Sequence, residues 1–228
     1  MCIRLGFWQL DRLEGRRYYN DLFRRGMQAE PMDLERLLST GGDGPLFDRR
    51  VVAEGRYDQA HEVILYGRTL NDRPGNDVLT PLILADGRAV IVDRGWVPFE
   101  MDDPPLTDAA PPTGGVRVEG FLAPSEPGGS HDAGVNGAAA STYTTVDLRS
   151  IGAQLPYDVL PWYVKLQTQT PAQPEGGLPI PEPPPELTNG PHLGYAIQWF
   201  SFATIAIVGW TLLVRREVLD RRRTAGPH

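Results

Sequence analysis

Three side chains close to the C-terminal end of the sequence have types and spacing that could do chemistry together. His192, Tyr195 and Trp199 follow one another at intervals of three and four residues. On a helix of 3.6 residues per turn they lie within about 60° of one another. A neutral imidazole can coordinate iron axially, and aromatic rings can cover the face of a porphyrin. The alternative is an interfacial histidine above an aromatic belt, and the residues by themselves favour that alternative.

The segment that would position these side chains is the most apolar part of the chain. Leu193 to Val214 form 22 consecutive residues without a charge. A helix of that length spans about 33 Å, enough to cross a hydrocarbon core of about 30 Å. Core helices of this length usually keep a polar face, which this segment lacks. The sequence therefore predicts a transmembrane helix over residues 192–214, followed by a basic tail over residues 215–228.

The charges on either side of this helix predict its orientation. Five arginines follow it within residues 215–223, whereas residues 173–191 before it contain three glutamates and no lysine or arginine. Because basic residues stay on the cytoplasmic side, we expect a cytoplasmic C-terminus and an extracytoplasmic central domain at the bacterial cell membrane. The alternative is a single-span protein with a cytoplasmic domain, which would violate this charge rule.

The N-terminal residues predict a second link to the membrane. They contain neither the apolar run nor the cleavage site typical of a signal peptide. We therefore expect another segment to direct the central domain across the membrane. We expect residues 1–29 to comprise the outer end of a truncated first transmembrane helix and a membrane-proximal helix. Residues 8–26 show the helical spacing of apolar and charged side chains that this interpretation requires.

Composition excludes several functional classes. Residues 30–190 carry 24 acidic and 11 basic side chains, which argues against a nucleic-acid partner. Cys2 is the only cysteine, so an intrachain disulfide and a CxxC metal site are excluded. Any metal or haem chemistry must rest on histidine. The nucleotide-binding, serine-hydrolase and zinc-protease motifs are absent from the sequence, and we do not expect an enzyme.

The central residues predict the fold class α+β, with a mostly antiparallel β domain and short helices over residues 30–170. Asp86-Gly87 separates two apolar runs and is a strong hairpin signal. Residues 171–191 contain eight prolines and predict a semi-rigid linker, or alternatively a proline-rich ligand for a partner. The expected strands cover residues 49–58, 61–70, 77–97 (as a pair), 116–124, 141–148 and 160–168, and the expected short helices cover residues 32–39 and 148–155.

One strand ends in a group of residues that could pack or bind. Asp93-Arg94-Gly95-Trp96-Val97-Pro98 combines a charged pair, a glycine, a large aromatic residue and a proline. We interpret it as a strand exit in which Trp96 packs and Arg94 pairs with an acid. A less favoured interpretation gives Arg94 a binding role, for instance with a haem propionate.

Five motifs in a fixed order resemble the Surf1 family of cytochrome oxidase assembly factors. They are LGFWQLDRL at 5–13, GRYD at 55–58, LTPL at 79–82, VDRGWVP at 92–98 and HLGYAIQWFSFA at 192–203. The family has two membrane spans, an extracytoplasmic domain between them and both termini inside, as the charges predict here. The departure from the family pattern is the missing first part of the first span.

The resemblance implies a membrane-bound role in the assembly of haem–copper cytochrome c oxidase. Bacterial members are thought to bind haem a and help to place it in oxidase subunit I. The family's histidine at the start of the second span matches His192, which implies that His192 ligates the haem metal. Tyr195 and Trp199 are the other implied cofactor-binding positions.

The expected partners are oxidase subunit I or an assembly intermediate that contains it, membrane lipid, and the machinery of haem a synthesis. Two other functions remain open. One is a haem-independent scaffold that stabilises an oxidase assembly intermediate. The other is an extracytoplasmic solute-binding module, which would show a pocket with convergent polar groups.

Overall fold

A computed structural model describes residues 1–40, 49–130, 140–174, 176–184 and 187–224. The chain divides into a helical unit (Met1–Arg24 with Glu186–His228) and a β unit (Arg25–Pro185). The helices are α1 Cys2–Gln28, α2 Leu34–Thr40, α3 Leu148–Gly152 and α4 His192–Thr224. The strands are β1 Met32–Asp33, β2 Arg50–Tyr57, β3 Val63–Leu70, β4 Arg73–Leu84, β5 Ala89–Pro98, β6 Val116–Pro124, β7 Thr142–Tyr143 and β8 Val159–Thr170.

The β unit is built on one sheet that closes on itself. The strand order is β1-β2-β6-β8-β5-β4-β3-β7, and a further pairing of β2 with β4 completes a five-stranded barrel. Gly55 opposes Leu84 at this closing seam, where a Cβ on Gly55 would lie 2.3 Å from Ile83 O. A side chain at position 55 would therefore hold the two strands apart. The predicted α+β class is confirmed, but the sheet is mixed, since β5 and β8 run parallel.

Apolar side chains fill both faces of the central strands. Val90 and Val92 on β5 belong to one core cluster, whereas Ile91 between them belongs to a second cluster that includes α3. Successive side chains on a strand point to opposite faces. The continuous apolar run of β5 is therefore explained by a strand that is covered on both sides.

Local signals place several elements as predicted. The Asp86-Gly87 hairpin joins β4 to β5, with Gly87 at φ +86°, which glycine adopts without strain. Asp33 Oδ1 accepts the amide of Arg36 at 2.9 Å and starts α2. The strand expected over residues 141–148 is wrong beyond β7. Its end is helical because Asp147 accepts backbone hydrogen bonds and begins α3.

Part of the proline-rich segment is bound to the sheet. The backbones of Ile180 and Trp96 exchange two hydrogen bonds of 2.8 Å. Glu182 Oε2 lies 3.0 Å from Lys165 Nζ on β8, and its carbonyl accepts the side-chain amide of Gln167 at 2.9 Å. These residues were expected in a linker over residues 171–191. The extended conformation that proline favours has instead become an added strand-like segment of the β unit.

Within the helical unit, α1 and α4 pack as an antiparallel pair. A Cβ on Gly6 would lie 2.7 Å from the ring of Phe200, so glycine leaves room for this ring against α1. Ala196, one turn before Phe200, is buried. Among the described residues, α4 is the one helix that is long and apolar enough to cross a membrane, by its length and composition.

Candidate functional site

A buried asparagine on α1 holds the turn that precedes α4. Asn20 is only 3% exposed, and its Nδ2 donates to Thr188 O at 3.1 Å and to Asn189 Oδ1 at 3.4 Å. The next residue, Gly190, has φ +64°, in the left-handed region that favours glycine. The anchored turn therefore fixes the chain two residues before His192, the first residue of α4.

His192 is half-buried and hydrogen-bonded to Gln9 on α1. Its Nδ1 lies 2.9 Å from Gln9 Oε1, and Gln9 is only 9% exposed. In the neutral ring with its proton on Nδ1, Nδ1 donates to the amide oxygen of Gln9 and Nε2 keeps its lone pair. Among the described residues Nε2 forms no hydrogen bond. The imidazole is therefore oriented as a ligand with one free nitrogen.

The two aromatic residues predicted with His192 are both on α4. Tyr195 is 48% exposed, and Trp199 is half-buried and meets the ring of Phe202 edge-on at 6.0 Å. Within the described part of the chain, no ring contact joins either residue to His192. The structure thus places the three side chains along one helix, with an exposed tyrosine available to an apolar ligand.

Helix packing brings Gln9 opposite His192. Gly6 on α1 meets Phe200 on α4, and Asn20 meets the turn before α4, so Gln9 lies between these two contacts. Because the helices run antiparallel, moving along α1 from Gly6 toward Asn20 corresponds to moving back along α4 from Phe200 toward its start. This register places the amide of Gln9 at the start of α4.

Arg94 is part of a buried ion pair and not of an open site. Its Nη1 lies 3.1 Å from Glu62 Oε2, its Nη2 donates to Ala109 O at 2.8 Å, and both charged side chains are at most 1% exposed. Glu62 also accepts hydrogen bonds from the Thr80 hydroxyl and the Leu106 amide, each 2.9 Å long. The predicted pairing is confirmed, whereas a propionate-binding role conflicts with this burial.

Burial also governs the protonation of Glu62. Removal from water raises the pKa of its carboxyl above the ordinary value, although the Leu106 amide, the Thr80 hydroxyl and Arg94 all act in the opposite direction. The pKa of Arg94 is lowered because burial disfavours its charge. The pair is therefore a structural element with a high desolvation cost.

A pair of buried carboxylates lies where β4 and β5 adjoin. Asp77 is 8% exposed and Asp93 is 5% exposed. The pKa of each is raised, first by burial and then by nearby acidic groups. Among the described residues, no group of three or more His, Cys, Asp or Glu side chains could hold a metal ion. These carboxylates are therefore not a candidate metal centre.

A second histidine is held at the turn between β2 and β3. His61 Nδ1 lies 2.7 Å from Asp58 Oδ2, and the Tyr157 hydroxyl donates to the same oxygen at 2.8 Å. Asp58 is the last residue of the GRYD motif. The described contacts give this motif a role in holding the turn between β2 and β3.

One shallow cavity of about 200 Å³ tests the solute-binding alternative. It is smaller than the range of about 300–1,000 Å³ typical of small-molecule sites. Its one basic side chain, Arg50, is hydrogen-bonded to Glu119 and to Met27 O. The described part of the β unit therefore offers this cavity no free charge for a solute.

Gln9 and Asn20 are site residues that the sequence analysis did not single out. A weak signal was present, since Gln9 is an uncharged polar residue between Leu5 and Leu13 in a helix that approaches the membrane. A buried polar side chain needs a hydrogen-bond partner. That partner could not be assigned, because His192 lies 183 positions away in the sequence.

These features define an α+β protein class with a small closed sheet and an apolar helix that is long enough to cross a membrane and carries one hydrogen-bonded imidazole at its start. The profile of the SURF1 family matches residues 1–204, and the chain belongs to this family. It is similar to an uncharacterized SURF1-like protein of Mycobacterium bovis, with 29% identity over 95% of this chain and 79% of the relative. It is also similar to SURF1-like proteins of Monosiga brevicollis (27%, covering 93% and 83%) and Rickettsia prowazekii (25%, covering 90% and 81%).

Proposed function

We propose that this protein is a membrane-anchored assembly factor for haem–copper cytochrome c oxidase, and that His192 holds haem a as cargo for subunit I. Family membership suggests the role in oxidase assembly. The observation that supports the haem-binding part is the hydrogen bond between His192 Nδ1 and Gln9 Oε1, which engages Nδ1 and not Nε2. The protein would act as a carrier and not as an enzyme.

The residues present fit a haem ligand set. Haem iron accepts a neutral imidazole nitrogen as an axial ligand, and His192 offers one through Nε2. Tyr195 has an exposed ring one turn along α4, and Trp199 lies a further turn along the same helix. These rings would cover apolar macrocycle surface, while the polar propionates stay near water at the start of the helix.

A carrier must also release its cargo. The hydrogen-bond acceptor on His192 is the neutral amide of Gln9, which makes the imidazole less basic than a carboxylate acceptor would. Ligation by one such imidazole would be weaker than ligation in a completed oxidase site. A difference in affinity of this sign is required for transfer from the carrier to subunit I.

The proposed topology places the β unit outside the cytoplasm and the basic end of α4 inside. Arg215, Arg216 and Arg221 follow the apolar part of α4, which supports this orientation. Alkaline phosphatase inserted at the exposed β4–β5 turn should be active, and green fluorescent protein fused after His228 should fluoresce. The reverse pair of results would show a cytoplasmic β unit and would contradict the proposal.

The test of haem binding is an absorption spectrum of the full chain. The protein is co-produced with haem a synthesis, purified in detergent and compared with His192→Ala. We expect a haem a spectrum that is lost in the variant and partly restored by added imidazole, which can occupy the space left by the side chain. His61→Ala is the matched control, because it removes the other described histidine with a partly exposed ring and should leave the spectrum unchanged.

Haem retained by His192→Ala at the wild-type level would contradict ligation by this residue. Absence of haem from every variant, with oxidase assembly still dependent on the protein, would overturn the carrier function. The haem-independent scaffold would then explain the assembly role.

A further inference from the structure

We infer that Gln9 is a positioning residue that selects the protonated nitrogen of His192 and so makes Nε2 available as a ligand. The observation is the 2.9 Å contact between Gln9 Oε1 and His192 Nδ1. The ligand role of Nε2 rests on the proposed function. The choice of the protonated nitrogen does not rest on the proposed function, because it is a property of the protein without haem.

The orientation of the Gln9 amide decides which nitrogen of His192 carries the proton. With its oxygen toward Nδ1, the neutral imidazole donates from Nδ1, and its Nε2 is unprotonated. With its NH2 group toward Nδ1, the proton would reside on Nε2, which could not coordinate a metal. The helix pair buries Gln9 and limits its freedom, since Gly6 and Phe200 pack one turn away.

The other edge of the imidazole is kept open by a glycine. A Cβ on Gly190 would lie 3.3 Å from His192 Cδ2 and 3.5 Å from Nε2. A side chain at this position would therefore press on Cδ2 and lie in van der Waals contact with Nε2, on the side from which a ligand would approach. Gln9 and Gly190 thus act on opposite edges of the ring, one by holding Nδ1 and the other by leaving Nε2 accessible.

Nitrogen-15 spectroscopy of the haem-free full chain in detergent tests the inference directly. With histidine labelled and His192 assigned by comparison with His192→Ala, we expect a protonated Nδ1 and an unprotonated Nε2. Gln9→Met keeps the length of the side chain without the amide, and should shift His192 toward the Nε2-protonated form. Gln9→Glu keeps an acceptor and, at an alkaline pH where the imidazole is neutral, should retain the wild-type pattern.

Gln198→Met is the matched control. It makes the same chemical change at an exposed position on α4, six residues after His192 and on another face of the helix. Its spectrum should equal that of the wild type. A protonated Nε2 in the wild type, or an unchanged His192 spectrum in Gln9→Met, would overturn the inference.

Haem a titration separates this inference from the proposed function. We expect Gln9→Met to bind haem a about 10–100-fold more weakly, as for other partners that orient a metal-bound histidine. We expect Gln9→Glu to bind at least as tightly as the wild type and to lower the midpoint potential of the bound haem. Equal affinity and potential in Gln9→Met would overturn the positioning role while His192 ligation stands. If the haem-free chain shows the predicted nitrogen-15 pattern but neither the wild type nor any variant binds haem a, the ligand role of Nε2 is overturned. The assignment of the proton to Nδ1 is unaffected by that result.

Discussion

Replacing Arg94 with methionine tests how the β unit tolerates an unpaired buried charge. Arg94→Met removes the guanidinium from Glu62 and from Ala109 O, while the Thr80 and Leu106 hydrogen bonds to the carboxylate remain. Breaking a buried ion pair by deleting one partner costs about 3–5 kcal/mol. In a unit of this size each kcal/mol lowers the melting temperature by about 2–4 °C, so we expect a drop of about 6–20 °C.

The size of the loss should depend on pH in a defined direction. Burial already raises the pKa of Glu62 above its unfolded value, and removal of Arg94 raises it further. A carboxyl with a raised pKa in the folded state is best tolerated at low pH, where it is neutral in both states. The destabilisation of Arg94→Met relative to the wild type should therefore grow as the pH rises from about 5 to about 8.

Thermal melting of the full chain in detergent, followed by tryptophan fluorescence, measures the effect. Arg117→Met is the matched control, because Arg117 pairs with Glu54 at 2.7 Å but both side chains are more than half exposed. Loss of that exposed pair should cost less than about 1 kcal/mol. A double variant with Glu62→Gln should recover part of the stability lost in Arg94→Met. Equal losses for the two arginines, or a pH dependence of the opposite sign, would refute this reasoning.

Three further changes test other parts of the fold. Gly75→Ala places a Cβ 2.2 Å from Trp96 Nε1 and should cost about 1–3 kcal/mol or more, whereas Gly115→Ala meets no atom within 4 Å and should be close to neutral in the same melting assay. Asp93→Asn removes a buried carboxyl whose pKa is raised in the folded state. Such a carboxyl lowers the free energy of unfolding as the pH rises above about 4, so the variant should lose less stability with rising pH than the wild type. The same dependence of stability on pH in both proteins would exclude this carboxyl as a contributor. Asp147→Ala removes the acceptor of two amides at the start of α3 and should cost about 1 kcal/mol in urea denaturation, and a neutral result would show that the cap contributes nothing.

The elements that could be predicted are those formed by residues close together in the sequence. The hairpin at Asp86-Gly87, the start of α2 at Asp33 and the long apolar helix all follow from short stretches of sequence. The prediction for residues 141–148 was wrong at its end, because alternating polar and apolar residues resemble a strand until the helix cap at Asp147 is recognised.

At the candidate site, too, residues could be predicted from local sequence but their distant partners could not. His192 was identified because it stands directly before an apolar span and because its motif resembles a known family. Arg94 was assigned a pairing role, but its partner Glu62 was not found, since 32 residues and a strand pairing separate them. The proline-rich segment was expected as a linker, because nothing in its composition shows that Ile180 would pair with Trp96.

Local sequence is enough to predict the long apolar helix, the position of His192 at its start and the acidic β domain before it. These properties depend on hydropathy, charge and turn residues within a few positions of one another, which are fixed by covalent order. The closure of the sheet by β2 against β4 and the hydrogen bond between Gln9 and His192 arise instead from tertiary packing. Such contacts join residues far apart in the chain, so they exist only after the helices and strands have packed in one register.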